Sequence, residues 1–262
     1  MTTRRGRRIA DVLAAASRFL KDQDVPDARV DAELLLAHVL VTTHVQIITR
    51  GSDELTMSEV RTYNRAVARR GNREPLAYIT GTKEFFGIPF QVTPSVLIPR
   101  PETEILVERA IALKPKRVLD LGTGSGAIAA ALARALPHAV IVATDVSAAA
   151  LAVARRNLPP TVVLKRGPDF EPVKGETFDL VVSNPPYIPS GEIDGLQPEV
   201  TKEPRVALDG GRDGLDMVRR ILRGAPRALV EIGAGQARVL RSEFRGVRFH
   251  KDLAGIERVV EQ

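Results

Sequence analysis

Val118-Leu119-Asp120-Leu121 is a run of strand length, apolar but for Asp120, that passes without a spacer into Gly122-Thr123-Gly124-Ser125-Gly126, and a helical pattern follows over 127–136. A chain that turns so sharply from a buried strand into a helix, with glycine at alternate positions, is committed to a β–turn–α unit. Such units bury their apolar faces only around a shared sheet. The repetition is visible. Residues 117–121, 140–145, 162–165 and 178–183 are short β-prone runs, and helical patterns at 127–136 and 148–157 separate the first three. Residues 228–232 add a strand, and 247–251 with 257–261 a final pair. The alternation predicts an α/β, doubly wound, mainly parallel sheet with helices on both faces.

The chain before this reads differently. Ile9, Val12, Leu13, Ala16, Phe19 and Leu20 recur at helical spacing, and 31–40 supplies a second helix. Thr56 followed by Glu59 has the form of a capping box, opening a third helix that Gly71 is placed to close. Residues 84–92 read as two short strands turning near Gly87, with Pro89 confining the second to an edge or a bulge. Pro101 suits the first turn of the next helix. The expected organisation is a helical domain over 1–73, a hairpin linker over 74–100 and a wound-sheet domain over 101–262.

Composition removes several functions. The 262 residues include no Cys, which excludes disulfides, thiol nucleophiles and thiolate zinc sites, and the four His are too scattered to suggest a metal centre. No apolar run approaches the ~18 residues of a membrane span. The basic N-terminus, Met1 to Arg8, leads into an amphipathic pattern rather than a signal-peptide core. A cytoplasmic, metal-free protein is expected. The formal charge of +6 suits either an anionic partner or an arginine-rich solvated surface.

Two motifs carry chemistry. The glycine turn lets a ligand approach the main chain, and Asp145, closing the next strand, is placed to accept both hydroxyls of a ribose. Gly122-x-Gly124-x-x-Ala127 also satisfies the dinucleotide fingerprint, so the loop indicates a nucleoside-type cofactor without saying which. The second motif, Asn184-Pro185-Pro186-Tyr187, ends the fourth strand of the wound sheet, and strand C-termini in such sheets face the ligand crevice. Its prolines remove two backbone donors. What remains is acceptor-rich: the Asn184 side-chain oxygen and the Pro185 carbonyl, with Tyr187 adding a flat face for stacking. Two acceptors orient a planar NH2 group and stabilise the positive charge that grows as its nitrogen attacks an electrophile. A glutamine amide and an adenine N6 amine both qualify, whereas a non-catalytic or NAD-binding wound sheet leaves Asn184 to Tyr187 without a role.

Asp-Leu-Gly-Thr-Gly-Ser-Gly with a downstream Asn-Pro-Pro-Tyr resembles the S-adenosylmethionine-dependent amino-methyltransferases. Further blocks narrow the likeness: Glu74-Pro75-Leu76-Ala77-Tyr78-Ile79-Thr80-Gly81, Pro99-Arg100-Pro101-Glu102-Thr103-Glu104, Glu203-Pro204-Arg205-Val206-Ala207-Leu208-Asp209-Gly210-Gly211, Asp213-Gly214-Leu215 and Glu231-Ile232-Gly233. In this order they are similar to the protein-glutamine N5-methyltransferases of the HemK/PrmC type, and the likeness runs from Val30 to Val260. It implies a Rossmann-like class I methyltransferase fold with a small N-terminal helical domain that helps dock the substrate. The implied reaction is methylation of the glutamine in the Gly-Gly-Gln motif of class I peptide-chain release factors, with N6-adenine methylation of DNA or RNA as the alternative. By position, Gly122, Thr123, Gly124, Ser125 and Gly126 contact the cofactor and Asp145 holds its ribose. Asn184, Pro185, Pro186 and Tyr187 hold the substrate amide, with Asn184 also close to the transferred methyl, and Asn184, Pro185 and Tyr187 carry catalysis. Arg100 is a partner for the cofactor carboxylate or the substrate loop. Gly167-Pro168-Asp169-Phe170 departs from the family by placing proline where an acid is usual, so Asp169 or Phe170 is expected to line the adenine. A monomer acting without metal, membrane or direct nucleic-acid binding is expected.

Overall fold

The computed structural model describes residues 7–262; most of the basic N-terminal stretch lies outside them. The chain forms two compact units. One holds the described residues up to Gly81 together with Pro198–Lys202, and the other holds Thr82–Gln197 and Glu203–Gln262.

In the first unit β1 (Arg7–Arg8) pairs with β2 (Glu54–Leu55), and the helices are α1 (Ile9–Asp22), α2 (Ala28–Val39), α3 (His44–Thr49), α4 (Met57–Gly71) and α5 (Leu76–Thr80). Ile9, Val12, Ala16 and Leu20 of α1 form the buried stripe that their spacing predicts, against Leu35 and Leu36 of α2, Ile47 of α3 and Tyr63 of α4. The Tyr63 hydroxyl, carried into this core, donates to the Ala32 carbonyl at 3.0 Å, which pairs it there. Both halves of the Thr56–Glu59 capping box are present at the start of α4. Gly71 plays a different part from the one expected. It is the last helical residue rather than a left-handed cap, and a Cβ there would stand 2.5 Å from the Phe19 ring. Glycine admits the ring, and the left-handed step after the helix falls on Arg73, at φ 60°.

Arg70, 6% exposed, is held from two directions. Its Nε donates to Asp31 at 2.6 Å and its Nη1 to Glu199 at 2.8 Å, while Arg73 donates to Glu199 at 2.7 Å. Burial raises the Glu199 carboxyl, but the Arg73 and Arg70 guanidiniums outweigh it and hold the group down to about 2. That pairing ties Pro198–Lys202 to α4, far away in sequence.

The second unit opens with a hairpin, β3 (Thr82–Phe85) and β4 (Ile88–Gln91), whose two turn residues Phe86 and Gly87 have φ 52° and 67°. Two left-handed central residues match the twist of the flanking strands. Pro89 sits in this two-stranded ribbon, where its missing N–H breaks no central ladder. A short turn at Pro101–Thr103 leads into α6 (Glu104–Ala112). There follow β5 (Arg117–Leu121), α7 (Ala127–Ala135), β6 (Val140–Asp145), α8 (Ala148–Asn157), β7 (Val163–Arg166), β8 (Leu180–Ser183), α9 (Asp216–Gly224), β9 (Ala228–Glu231), α10 (Ala237–Glu243), β10 (Arg248–Lys251) and β11 (Glu257–Glu261).

The last eleven of these elements contain one seven-stranded sheet in the order β10-β11-β9-β8-β5-β6-β7. The five strands from β9 to β7 are parallel, and β10 and β11 form an antiparallel edge. Side chains alternate between two cores, as strand periodicity requires. Val118, Ile141 and Val182 pack with α6 and α7 on one face, whereas Leu119, Val142 and Val181 pack with α9 and α10 on the other. Strand order reverses between β5 and β8. That is where the C-terminal ends of a wound sheet open a crevice. Among the described residues no helix is long and apolar enough to cross a membrane.

Candidate active site

The crevice is a cavity of about 510 Å³, within the usual range for a small-molecule site. Gly122–Ser125 leave the end of β5, Asp145 ends β6 and Asn184 follows β8, so three adjacent strand ends supply its wall. Gly122 and Gly124 adopt φ 77° and 56°, and a Cβ on either would meet no protein atom within 4 Å. The main chain of the loop is therefore bare on a wall of the cavity. Asp145 accepts from the Gly124 N–H at 2.9 Å and the Ser147 N–H at 2.8 Å. Burial pushes its carboxyl up, against the pull of these N–H donors.

Asp120 anchors the loop from below. Fully buried in β5, it accepts from the Thr123 hydroxyl at 2.6 Å and the Ala129 N–H at 3.2 Å, joining the glycine turn to the first turn of α7. Burial drives its carboxyl up to about 7, only partly offset by those two donors. A carboxyl that rises from 3.8 in the unfolded chain to about 7 in the fold stabilises the folded state fully below pH 4. That contribution is lost as pH rises towards and through 7. Asp120→Asn cannot titrate. Urea midpoints at pH 5 and pH 8 are therefore expected to show wild type losing about 2 kcal/mol relative to the variant; parallel pH profiles would remove the assigned role of burial.

The acceptor turn is built from the other side of the switch point. Asn184 Nδ2 donates to Thr103 Oγ1 at 3.1 Å, and Asn184 Oδ1 is buried without a partner among the described residues. Pro185 and Pro186 line the cavity beside it. Behind the turn, Gln236 donates to the Tyr187 carbonyl at 2.8 Å and accepts from the Gly233 N–H at 2.7 Å. Gly210 and Gly214 press backbone to backbone against Pro186 and Tyr187: a Cβ on either would lie 2.7 Å from the Pro186 carbonyl oxygen or 2.2 Å from that of Tyr187.

Four expected site residues stand elsewhere. Gly126 is off the wall and lies against the Leu158 side chain, where a Cβ would come within 3.0 Å of it. Tyr187 does not line the cavity: its ring lies near Gly233, so it presents no stacking face to the crevice. Burial raises this phenol strongly, with the Glu231 charge adding to the shift. Arg100 also lies off the wall, its guanidinium paired with the buried Glu203, which accepts the Ile98 N–H at 2.9 Å as well. Phe170 turns away from the cavity to pack against Gly224 in the second core, leaving Pro168 and Asp169 on the wall. Asp169 pairs with Arg220 at 2.6 Å. Thr103, Asp120, Glu231 and Gln236 had no role in the sequence reading. Their signal was faint, since each stands in or near a quoted block without a chemical pattern of its own.

A seven-stranded sheet with a glycine loop after its central strand and an acceptor turn after the neighbouring one defines the chain as a Rossmann-like class I methyltransferase. The hMettl16 catalytic domain solved with a MAT2A 3′UTR hairpin shares this fold, with a TM-score of 0.55 and 18% identity over 75% of this chain and 81% of that one. Residues 11–81 match the PrmC N-terminal domain model, and residues 101–203 match the methyltransferase small domain model. Release factor glutamine methyltransferase from Geobacter sulfurreducens is 45% identical over 96% of this chain and 95% of its own length. The enzyme of the same name from Moorella thermoacetica is 39% identical over 95% and 96%. The chain belongs to the release factor glutamine methyltransferase family and is an S-adenosylmethionine-dependent methyltransferase.

The residues present fit that cofactor. The bare glycine main chain, the Asp145 carboxylate and the cavity volume suit a nucleoside-bearing ligand.

Proposed function

We propose that the protein methylates the side-chain amide nitrogen of the glutamine in the Gly-Gly-Gln motif of class I peptide-chain release factors, and so modulates translation termination in the cytoplasm. The observation that carries this reading is Asn184 Oδ1, buried and unpartnered among the described residues, on the same cavity as the glycine loop. Leaving such an acceptor unpaired costs about 1–3 kcal/mol, and an amide N–H answers it. The relatives' name supplies the amide.

When bound, S-adenosylmethionine supplies a methyl carbon made electrophilic by its sulfonium. Gly122–Ser125 and Asp145 would hold it, Asp145 through the ribose hydroxyls, with Pro168 and Asp169 also on the cavity wall. Asn184 Oδ1 and the Pro185 carbonyl accept the two N–H groups of the glutamine amide. They draw the nitrogen lone pair out of conjugation and favour the charge that grows on it. Holding both reactants in one cavity contributes proximity. Pro186 stiffens the turn, and the helical unit, which matches the PrmC N-terminal domain model, docks the release factor.

The test is mass spectrometry of a purified class I release factor after incubation with the protein and labelled S-adenosylmethionine. One added methyl on the Gly-Gly-Gln glutamine is the expected result. Label appearing on adenine in DNA or RNA, with the release factor unmodified, would overturn it.

A further inference from the structure

The carboxamide of Asn157, the last residue of α8, is spent on main-chain groups of two distant segments. Its Oδ1 accepts from the Gln91 N–H at 2.9 Å, and its Nδ2 donates to the Gln91 carbonyl at 2.9 Å and the Ser125 carbonyl at 2.8 Å. Ser125 belongs to the glycine loop and lines the cavity. Gln91 ends β4, in the hairpin whose Phe85 lines the same cavity. Asn157 itself lies off the wall. Leu158, the next residue, presses on the loop as well, since a Cβ on Gly126 would stand 3.0 Å from its side chain.

The orientation of this carboxamide is fixed by groups that cannot exchange roles. A carbonyl oxygen only accepts and a main-chain N–H only donates, so Nδ2 faces the two carbonyls and Oδ1 faces the amide. The hairpin explains why Gln91 is the point of attachment. Its two-residue turn makes Phe85 with Ile88, and Lys83 with Phe90, the pairs that exchange hydrogen bonds within the ribbon. Pro89 and Gln91 then turn their main-chain groups outward. Proline has no N–H, so Gln91 carries the donor on that edge, and Asn157 meets it as a residue of a neighbouring strand would.

We propose that Asn157 is a positioning residue that joins the cofactor loop to the hairpin, so that cofactor binding orders the β4 edge and the held edge tightens cofactor binding. The inference rests on the glycine loop being where the cofactor binds. The Ser125–Gly126 peptide is planar, so a carbonyl held by Asn157 fixes the plane that closes the loop. A loop held in one conformation before the ligand arrives loses less freedom on binding it. Linkage makes the effect mutual: whatever the joint adds to cofactor affinity, bound cofactor adds to the joint. Because Asn157 stands off the cavity wall, its effect falls on cofactor affinity and not on the methyl transfer step.

Amide exchange followed by NMR, with and without saturating S-adenosylhomocysteine, reads the joint directly, because the Gln91 N–H is one of its bonds. In wild type the Gln91 amide is expected to exchange about 5- to 10-fold more slowly with ligand bound. The Phe90 amide, paired within the ribbon, should change by no more than about twofold. Asn157→Ala is expected to abolish the Gln91 response and to raise the S-adenosylhomocysteine Kd about 10-fold, with turnover of release factor at saturating cofactor within about threefold of wild type. Asn157→Asp keeps an acceptor for the Gln91 N–H but has no donor for either carbonyl, and should weaken the ligand as much as alanine does. A wild-type Gln91 amide indifferent to the ligand overturns the proposal, and this reading is available even if neither variant folds. Asn157→Asp binding as tightly as wild type, or turnover falling as steeply as Kd rises, overturns it too. The exchange and Kd readings need no protein substrate. Bound ligand that leaves the resonances of residues 122–125 unmoved would take the glycine loop out of the cofactor site; moved loop resonances beside an unchanged Gln91 amide remove the joint alone.

Discussion

Asn184→Ala is expected to lower kcat by about 10²- to 10³-fold while leaving the S-adenosylmethionine Kd within about twofold. The asymmetry follows from where the side chain points. Its oxygen faces the cavity without a protein partner among the described residues, and its nitrogen is committed to Thr103. The glycine loop that approaches the cofactor belongs to another strand end, β5, and is tied down by Asp120 and Asp145. Removing the carboxamide deletes one of two acceptors for the reacting amide and touches neither anchor. Calorimetric titration of the cofactor beside single-turnover methylation separates the two quantities. A variant that loses cofactor affinity as steeply as turnover would show that Asn184 serves the cofactor and not the transferring nitrogen.

Gly214→Ala should produce the largest loss of stability, about 3 kcal/mol, from two sources that add. Its φ of 77° is a left-handed conformation, and a Cβ would lie 2.2 Å from the Tyr187 carbonyl oxygen and 2.6 Å from Gln236 Nε2. Neither neighbour yields freely, because Gln236 donates to that same carbonyl at 2.8 Å. The collision pushes on the acceptor turn itself, so turnover falls with the midpoint. Gly175→Ala is the control: its φ is 83°, yet nothing lies within 4 Å of the added methyl. Differential scanning calorimetry should show a fall of about 6–12 °C for Gly214→Ala, and no more than a few degrees for the control. Equal shifts would mean that backbone conformation alone accounts for the loss.

The strands and long helices were legible in the sequence because their signal is local. The inner parallel strands β5, β6, β8 and β9 are buried over most of their length and so read as largely apolar runs, whereas the edge strand β7 carries Lys165 and Arg166; α1, α4, α7 and α8 are long enough to show a helical period. The helices α3 and α5 span six and five residues, too short for any period to repeat, and they were not foreseen. Gly71 was read as a cap because a glycine at a helix end usually is one; its reason is the Phe19 ring, which arrives from another helix. Pro198–Lys202 looked like part of the wound-sheet domain, and what assigns it to the helical unit is a pair of arginines across a long stretch of chain.

What the sequence alone determined is the set of groups that do chemistry and the strand ends that carry them: a glycine turn after β5, a carboxylate after β6, an acceptor turn after β8. Those follow from local rules, since a turn needs its glycines and a proline pair removes its donors wherever it sits. The tertiary structure decided which way the side chains face. Whether Tyr187 meets the cavity or lies against Gly233, whether Phe170 lines the wall or fills the core, and which end of the Asn184 carboxamide is offered all depend on partners brought in from distant segments. A side chain's orientation is set by the single proton or the few ångströms of space its neighbours leave it, and the neighbours are known only once the sheet has closed.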